Sequence, residues 1–150
     1  MKQVRLSWFL NDKNLQPYSD IISIVFNEYL VILKKAVKQY KFNKQCLDSI
    51  FNESVEDFRP HLYLCNFTSI ETFKLLKSKY NISVDLRYGL KENIPHVWCL
   101  YKKKLIIDTS YKQFGGIFNL NFSLKKTSDY SDLGQFNKNT YHLAELYYYE

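Results

Sequence analysis

Apolar residues return at helical spacing from Tyr18 to about Tyr40: Ile21, Ile22, Val25, Tyr29, Ile32, Leu33, Ala36, Val37 and Tyr40. An α-helix brings a side chain back to the same direction about every 3.6 residues, so the spacing predicts one long helix with a continuous apolar stripe. A stripe of that length has to be buried against a broad surface, so the chain needs a second layer. Ser19 or Asp20 is placed to cap the helix start. Ser23, Asn27, Glu28, Lys34 and Lys35 interrupt the stretch from Ile21 to Val37, which argues against a membrane span.

The second layer is legible downstream. His96-Val97-Trp98-Cys99-Leu100-Tyr101 and Leu105-Ile106-Ile107-Asp108-Thr109 are short apolar runs on either side of Lys102-Lys103-Lys104. That is the pattern of a hairpin whose charged tip faces water. Ile82 to Leu90 alternates as a strand. The stretches Ile117 to Leu124 and Tyr141 to Tyr149 are strand-like, the last also open to a helical reading. Val4, Leu6, Trp8 and Leu10 alternate weakly and read as a further strand, followed by a polar loop through Pro17. Asn43 is placed to cap a shorter helix through Cys46, Leu47, Ile50 and Phe51, and Arg59-Pro60 breaks the helical phase. Phe67, Ile70, Phe73, Leu75 and Leu76 then form another helical stripe. Thr68-Ser69-Ile70-Glu71 is a capping-box pattern that starts this helix three residues after Cys65. The expected architecture is a single α+β domain over residues 1–150, with N-terminal helices packed on an antiparallel sheet.

Composition excludes several classes. The net charge of +6 is scattered along the whole chain, and the aromatics (13 Tyr, 11 Phe, 2 Trp) fall mostly on apolar stripes. A nucleic-acid groove needs cations interleaved with exposed aromatics on one face, so no nucleic-acid partner is expected. Met1 to Leu10 lacks the sustained apolar core of a secretory signal. Three cysteines at spacings of 19 and 34 fit neither a disulfide framework nor a zinc pattern. The expected setting is cytoplasmic, without a membrane partner, metal or other cofactor.

Cys65, His96 and Asp108 stand in the order of a catalytic triad. A thiol at a helix start beside an imidazole is poised to become a nucleophilic thiolate. The imidazole protonates the leaving group, and a carboxylate on its other nitrogen fixes tautomer and orientation. The oxyanion of the tetrahedral intermediate needs two donors. The backbone N–H of Cys65 or Asn66 is one candidate, and Gln45 and Gln113 are candidates for the second. Hairpin geometry sets a condition. An odd turn such as 101–103 or 102–104 puts His96 and Asp108 on one face of adjacent strands, and a two-residue turn puts them on opposite faces unless a bulge intervenes. The odd turn is the expectation. Cys46 and Cys99 read as core, Cys99 alternating away from His96, and His61 and His142 have no comparable partners. Each triad member also has a plainer reading: Cys65 as a small buried hydrophobe, His96 as a satisfied core residue, Asp108 as the start of an Asx-turn.

On these residues the segment 65–109 resembles the transglutaminase-like branch of the papain-like cysteine enzymes. The family core has a cysteine opening a helix, a double leucine near its end, a short strand with an arginine, then H-x-W, then an aspartate followed by threonine. Here these are Cys65, Leu75-Leu76, Ile82 with Arg87 and Gly89, His96-Val97-Trp98, and Asp108-Thr109. Leu64 stands where the family usually has a small residue, and Arg87 falls one place late. The resemblance implies a papain/transglutaminase-like core with Cys65, His96 and Asp108 as nucleophile, base and orienting acid, and Trp98 packing beside the site. It further implies a cysteine hydrolase or acyl transferase, a peptidase or glutamine deamidase, acting on a peptide or protein substrate through a thioester. Relatives include bacterial effectors delivered to another cell and small leader peptidases that work with a separate substrate-delivery protein. The alternative expectation is a non-catalytic protein-binding adaptor on a decayed cysteine-enzyme fold.

Overall fold

Seven residues of the long apolar stripe, Ile21, Ile22, Val25, Tyr29, Ile32, Leu33 and Ala36, are buried in a computed structural model that describes residues 5–40, 64–110 and 120–137. They lie on α2 (Ser19–Tyr40), which follows the short α1 (Leu6–Leu10) and a 3-10 turn at Gln16–Tyr18, and precedes α3 (Leu64–Tyr80). The sheet comprises β1 (Asp85–Lys91), β2 (Ile94–Tyr101), β3 (Leu105–Asp108), β4 (Asn121–Leu124) and β5 (Tyr130–Gln135). Its order is β4-β3-β2-β1-β5, and every pair of neighbours is antiparallel. The fold is therefore α+β, and among the described residues the α-helices precede the strands. Among the described residues, no helix is long and apolar enough to cross a membrane.

One core joins the α2 stripe to Leu76 of α3 and to Cys99, Leu105, Ile107 and Phe122 of the sheet. Successive strand residues face opposite sides, so these odd-numbered residues of β2 and β3 define the helix-facing side. Trp98, Leu100 and Ile106 pack on the other side, against Tyr130.

Three expectations for the helices need correction. Residues 6–10 are helical, because Leu6, Phe9 and Leu10 also satisfy the i, i+3, i+4 spacing. Phe9 is buried edge-on against Phe122, with ring centroids 4.9 Å apart. Ser19 and Asp20 lie inside the first turn of α2, where the Asp20 carboxylate suits the helix dipole. The third helix begins at Leu64, before Cys65 and well ahead of the capping box. The Thr68 hydroxyl donates back to the Cys65 carbonyl (3.4 Å), and Thr72 donates to the Thr68 carbonyl (2.7 Å). These hydroxyls bond within the helix, and neither caps it. At the other end Asn81 (φ 55) takes the left-handed conformation, and the Ile82 N–H returns to the Leu76 carbonyl.

The hairpin has the odd turn. Tyr101 pairs with Leu105, Leu100 with Ile106 and Cys99 with Ile107, leaving Lys102-Lys103-Lys104 at the tip. β1 and β2 join through Glu92 and Asn93, both at positive φ (53 and 61), as a type I′ hairpin requires. β1 starts at Asp85, later than the predicted Ile82, and β4 starts at Asn121 within the predicted 117–124 stretch. The predicted short helix after Asn43, the strand-like stretch at 141–149, and Cys46, His61 and His142 lie outside the described residues.

β5 was not foreseen, and its position reshapes the sheet. Edge strands of a flat five-stranded sheet would lie on the order of 19 Å apart, four spacings of about 4.8 Å. Here Tyr130 on edge strand β5 donates its phenol hydroxyl to Asp108 on β3 (2.6 Å), and Asn121 Nδ2 on the opposite edge donates to that phenol oxygen (3.3 Å). The sheet must curl to bring these groups together, with Trp98, Leu100, Ile106 and Tyr130 on its concave side.

Candidate active site

His96 and Asp108 share the concave face because the turn between their strands is odd. The ring Nε2 of His96 lies 2.7 Å from Asp108 Oδ2, with both side chains fully buried. Asp108 is otherwise well satisfied. Tyr130 donates its hydroxyl to the same Oδ2, while the Ser110 N–H (3.0 Å) and hydroxyl (3.5 Å) reach Oδ1. The bond from the Ser110 N–H is the Asx-turn that the plainer reading of Asp108 expects, so one carboxylate both ends the strand and holds the imidazole.

Cys65 approaches from the helix side. It packs with Val97 and Phe136, and it lies close enough to the His96 ring to help raise its pKa. With Nε2 engaged by Asp108, Nδ1 is the ring nitrogen left for the thiol. A helix-side residue can meet a concave-face residue here because the β3 ladder stops at Cys99, short of Val97 and His96. α3 occupies that place. The Ser69 hydroxyl donates to the Val97 carbonyl (3.1 Å), the Cys99 thiol donates to the Ser69 carbonyl (3.3 Å), and the Thr72 and Thr109 hydroxyls lie 3.4 Å apart. The small polar residues of α3 thus fix the height of Cys65 along β2.

Electrostatics favour the ionised pair. Burial works against charge on the His96 ring, but the Asp108 charge and hydrogen bond, helped by Cys65, outweigh it and hold the ring pKa at about 9. Burial likewise opposes ionisation of Asp108, yet His96, Tyr130 and the Ser110 N–H together keep its carboxyl below the ordinary value. Cys99 faces away, and burial, followed by the Asp108 charge, pushes its thiol well above the usual range.

Trp98 lies beside the site, its ring 6.2 Å from that of His96 at 29° and edge-on to Tyr130 at 5.0 Å. Of the oxyanion candidates, Cys65 and Asn66 are in the first turn of α3, where backbone N–H groups have no intrahelical acceptor. Gln45 and Gln113 lie outside the described residues. Tyr130 and Ser69 were not singled out from sequence. Tyr130 stands in a polar stretch with no pattern tying it to Asp108, and Ser69 read only as part of a capping box. Among the described residues no cluster of three or more His, Cys, Asp or Glu is placed to hold a metal ion.

Comparison of the chain with protein-family models, with curated proteins and with solved structures gives no match.

Proposed function

We propose that this chain is a cysteine hydrolase or acyl transferase with a papain/transglutaminase-like core, acting on a peptide bond or a protein glutamine amide. The observation that carries the reading is the buried His96–Asp108 pair, 2.7 Å apart, with Cys65 beside the ring. In the reaction, the Cys65 thiol passes its proton to the His96 ring as the sulfur bonds to the amide carbonyl carbon, and first-turn N–H groups of α3 face the resulting oxyanion. The C–N bond then breaks as His96 delivers its proton to the departing nitrogen, an amine in peptide cleavage or ammonia in deamidation. Water, deprotonated by His96, attacks the thioester and regenerates the thiol. Asp108 keeps the ring oriented throughout and compensates its charge.

Incubation with a peptide library containing glutamine, followed by mass spectrometry of both peptides and intact protein, tests this. The expected result is an acyl adduct on Cys65 with either cleaved peptide or released ammonia, all absent from Cys65→Ala. Full turnover in that variant overturns the assignment.

One observation favours the second reading, a protein-binding adaptor on a decayed enzyme fold. Cys65, His96 and Asp108 are at most 1% exposed, so a substrate reaches the thiol only if the site opens. An adaptor needs no such opening, and it predicts that no acyl adduct forms with any peptide.

A further inference from the structure

Tyr130 is the second donor on the carboxylate oxygen that receives the His96 ring. It crosses the concave face from edge strand β5, placing its hydroxyl 2.6 Å from Asp108 Oδ2. Its ring is fixed on three sides: Trp98 meets it edge-on at 5.0 Å, the Lys91 ammonium lies 5.2 Å from its centroid, and Asn121 Nδ2 donates to its oxygen. A tyrosine held in this way has little freedom to turn its hydroxyl elsewhere.

We propose that Tyr130 is a positioning residue for the Cys65–His96–Asp108 site, fixing the Asp108 carboxylate so that Oδ2 stays in line with His96 Nε2. The assignment rests on the enzymatic reading above. A buried carboxylate bonded only through one oxygen's partner can rotate about its Cβ–Cγ bond. Ser110 holds Oδ1 and His96 meets Oδ2, and the Tyr130 hydroxyl anchors Oδ2 independently of the ring that this oxygen has to orient. The hydroxyl also spreads the carboxylate charge. Without it the pair binds protons more tightly, because a donor to the ionised form has been lost.

The charged and titratable groups around the pair are Cys65 on α3, Cys99 on β2, Tyr29 on α2 and Lys91 on β1, the last paired with Asp129. Tyr130→Phe alters none of them and keeps the ring in its packing, so the variant should fold. The test is an NMR titration of the imidazole nitrogens, which is tractable because the chain has only His61, His96 and His142. In the full-length protein the His96 titration should move up by roughly half a pH unit in Tyr130→Phe, less than a whole hydrogen bond to a charged group is worth because that bond acts on Asp108 directly and on His96 only through the carboxylate charge. A purely structural tyrosine would leave that titration in place while lowering the melting temperature.

Iodoacetamide labelling of the wild type separates the two claims. Rapid labelling of Cys65 with an unmoved His96 titration in the variant overturns the role of Tyr130 alone. Failure of Cys65 to label in the wild type overturns the enzymatic reading, and with it any catalytic purpose for Tyr130. A labelled Cys65 together with the upward shift supports both.

Discussion

Gly89 lies directly across the β1–β2 ladder from His96, and the space a side chain would need there is already occupied. A Cβ on Gly89 would fall 1.9 Å from the Ser131 carbonyl oxygen and 2.9 Å from the Trp98 ring. The β1–β5 register also shifts between Tyr88 and Gly89, so the backbone of β5 leans onto β1 at this residue. That approach brings Tyr130 inward, and it requires glycine. Gly89→Ala should therefore cost about 3 kcal/mol through overpacking against backbone that cannot move aside. Urea denaturation reads the cost directly, and a variant within experimental error of the wild type would mean that β5 is not pressed against β1 as described.

Stability should depend on pH through the His96–Asp108 pair. The His96 pKa is raised from 6.5 to about 9, so its contribution is complete below 6.5 and lost as pH rises through 9. The Asp108 pKa is lowered, so its contribution is present above 3.8 and lost as pH falls through the folded value. The fold should thus be firmest between about pH 4 and 6.5, losing on the order of 3 kcal/mol by the far side of pH 9. Burial raises the Cys99 and Tyr29 groups, and both weaken the fold only as their unfolded forms ionise, near and above pH 9. The interval from pH 6.5 to 9 therefore belongs mainly to His96. Melting temperatures across that interval should fall in the wild type and stay nearly flat in Asp108→Asn.

The α+β layout and the pairing of His96 with Asp108 were legible because they rest on short-range regularities. The α2 stripe and the alternation through His96–Tyr101 are periodic, and the parity of a three-residue turn fixes which side chains share a face. Legibility ended where tertiary packing competes with a local signal. The Thr68 capping box lost to hydroxyls that bond back along the helix while α3 docks on β2, and the alternation at Leu6, Trp8 and Leu10 lost to burial of Phe9 on Phe122. β5 has almost no signature of its own. Its sequence, Tyr-Ser-Asp-Leu-Gly-Gln, is poor in β-branched residues, and it is a strand because β1 offers an edge and Arg87 offers a charge. The oxygen that Tyr130 contributes to Asp108 follows from that pairing and could not be seen without it.

Arg87 grips Asp132 through two nitrogens, Nε at 3.0 Å and Nη2 at 2.9 Å, and so ties β5 to β1. A lysine keeps the charge but offers one point of contact in place of a planar fork. The pair is partly exposed, which limits what it contributes, so Arg87→Lys should cost about 1 kcal/mol or less in global stability. The effect should be larger locally, because β1 is the one strand that β5 pairs with among the described residues. Hydrogen exchange should show faster exchange at the β5 amides bonded to β1, with the β2–β3 ladder unchanged. Equal acceleration across the whole sheet would mean that Arg87 supports the core in general and not this edge.

The two described cysteines are both fully buried, yet they sit in unequal surroundings. Cys99 belongs to the large core shared by α1, α2 and the sheet, and its thiol is committed to the Ser69 carbonyl. Cys65 belongs to a small cluster with Val97 and Phe136 at the very start of α3, where helix ends fray most readily. Among the described residues, exposing Cys65 parts a smaller apolar cluster, whereas exposing Cys99 separates helices from sheet. Reagent access should therefore follow local opening at Cys65 and near-global unfolding at Cys99. Peptide mapping after a brief iodoacetamide pulse at neutral pH should show Cys65 labelled at least about a hundredfold faster than Cys99. Iodoacetamide is smaller than any peptide, so an opening that admits a substrate must admit the reagent. If both thiols label at one slow rate that tracks global unfolding, the site does not open under native conditions, and the triad serves only to hold the fold together.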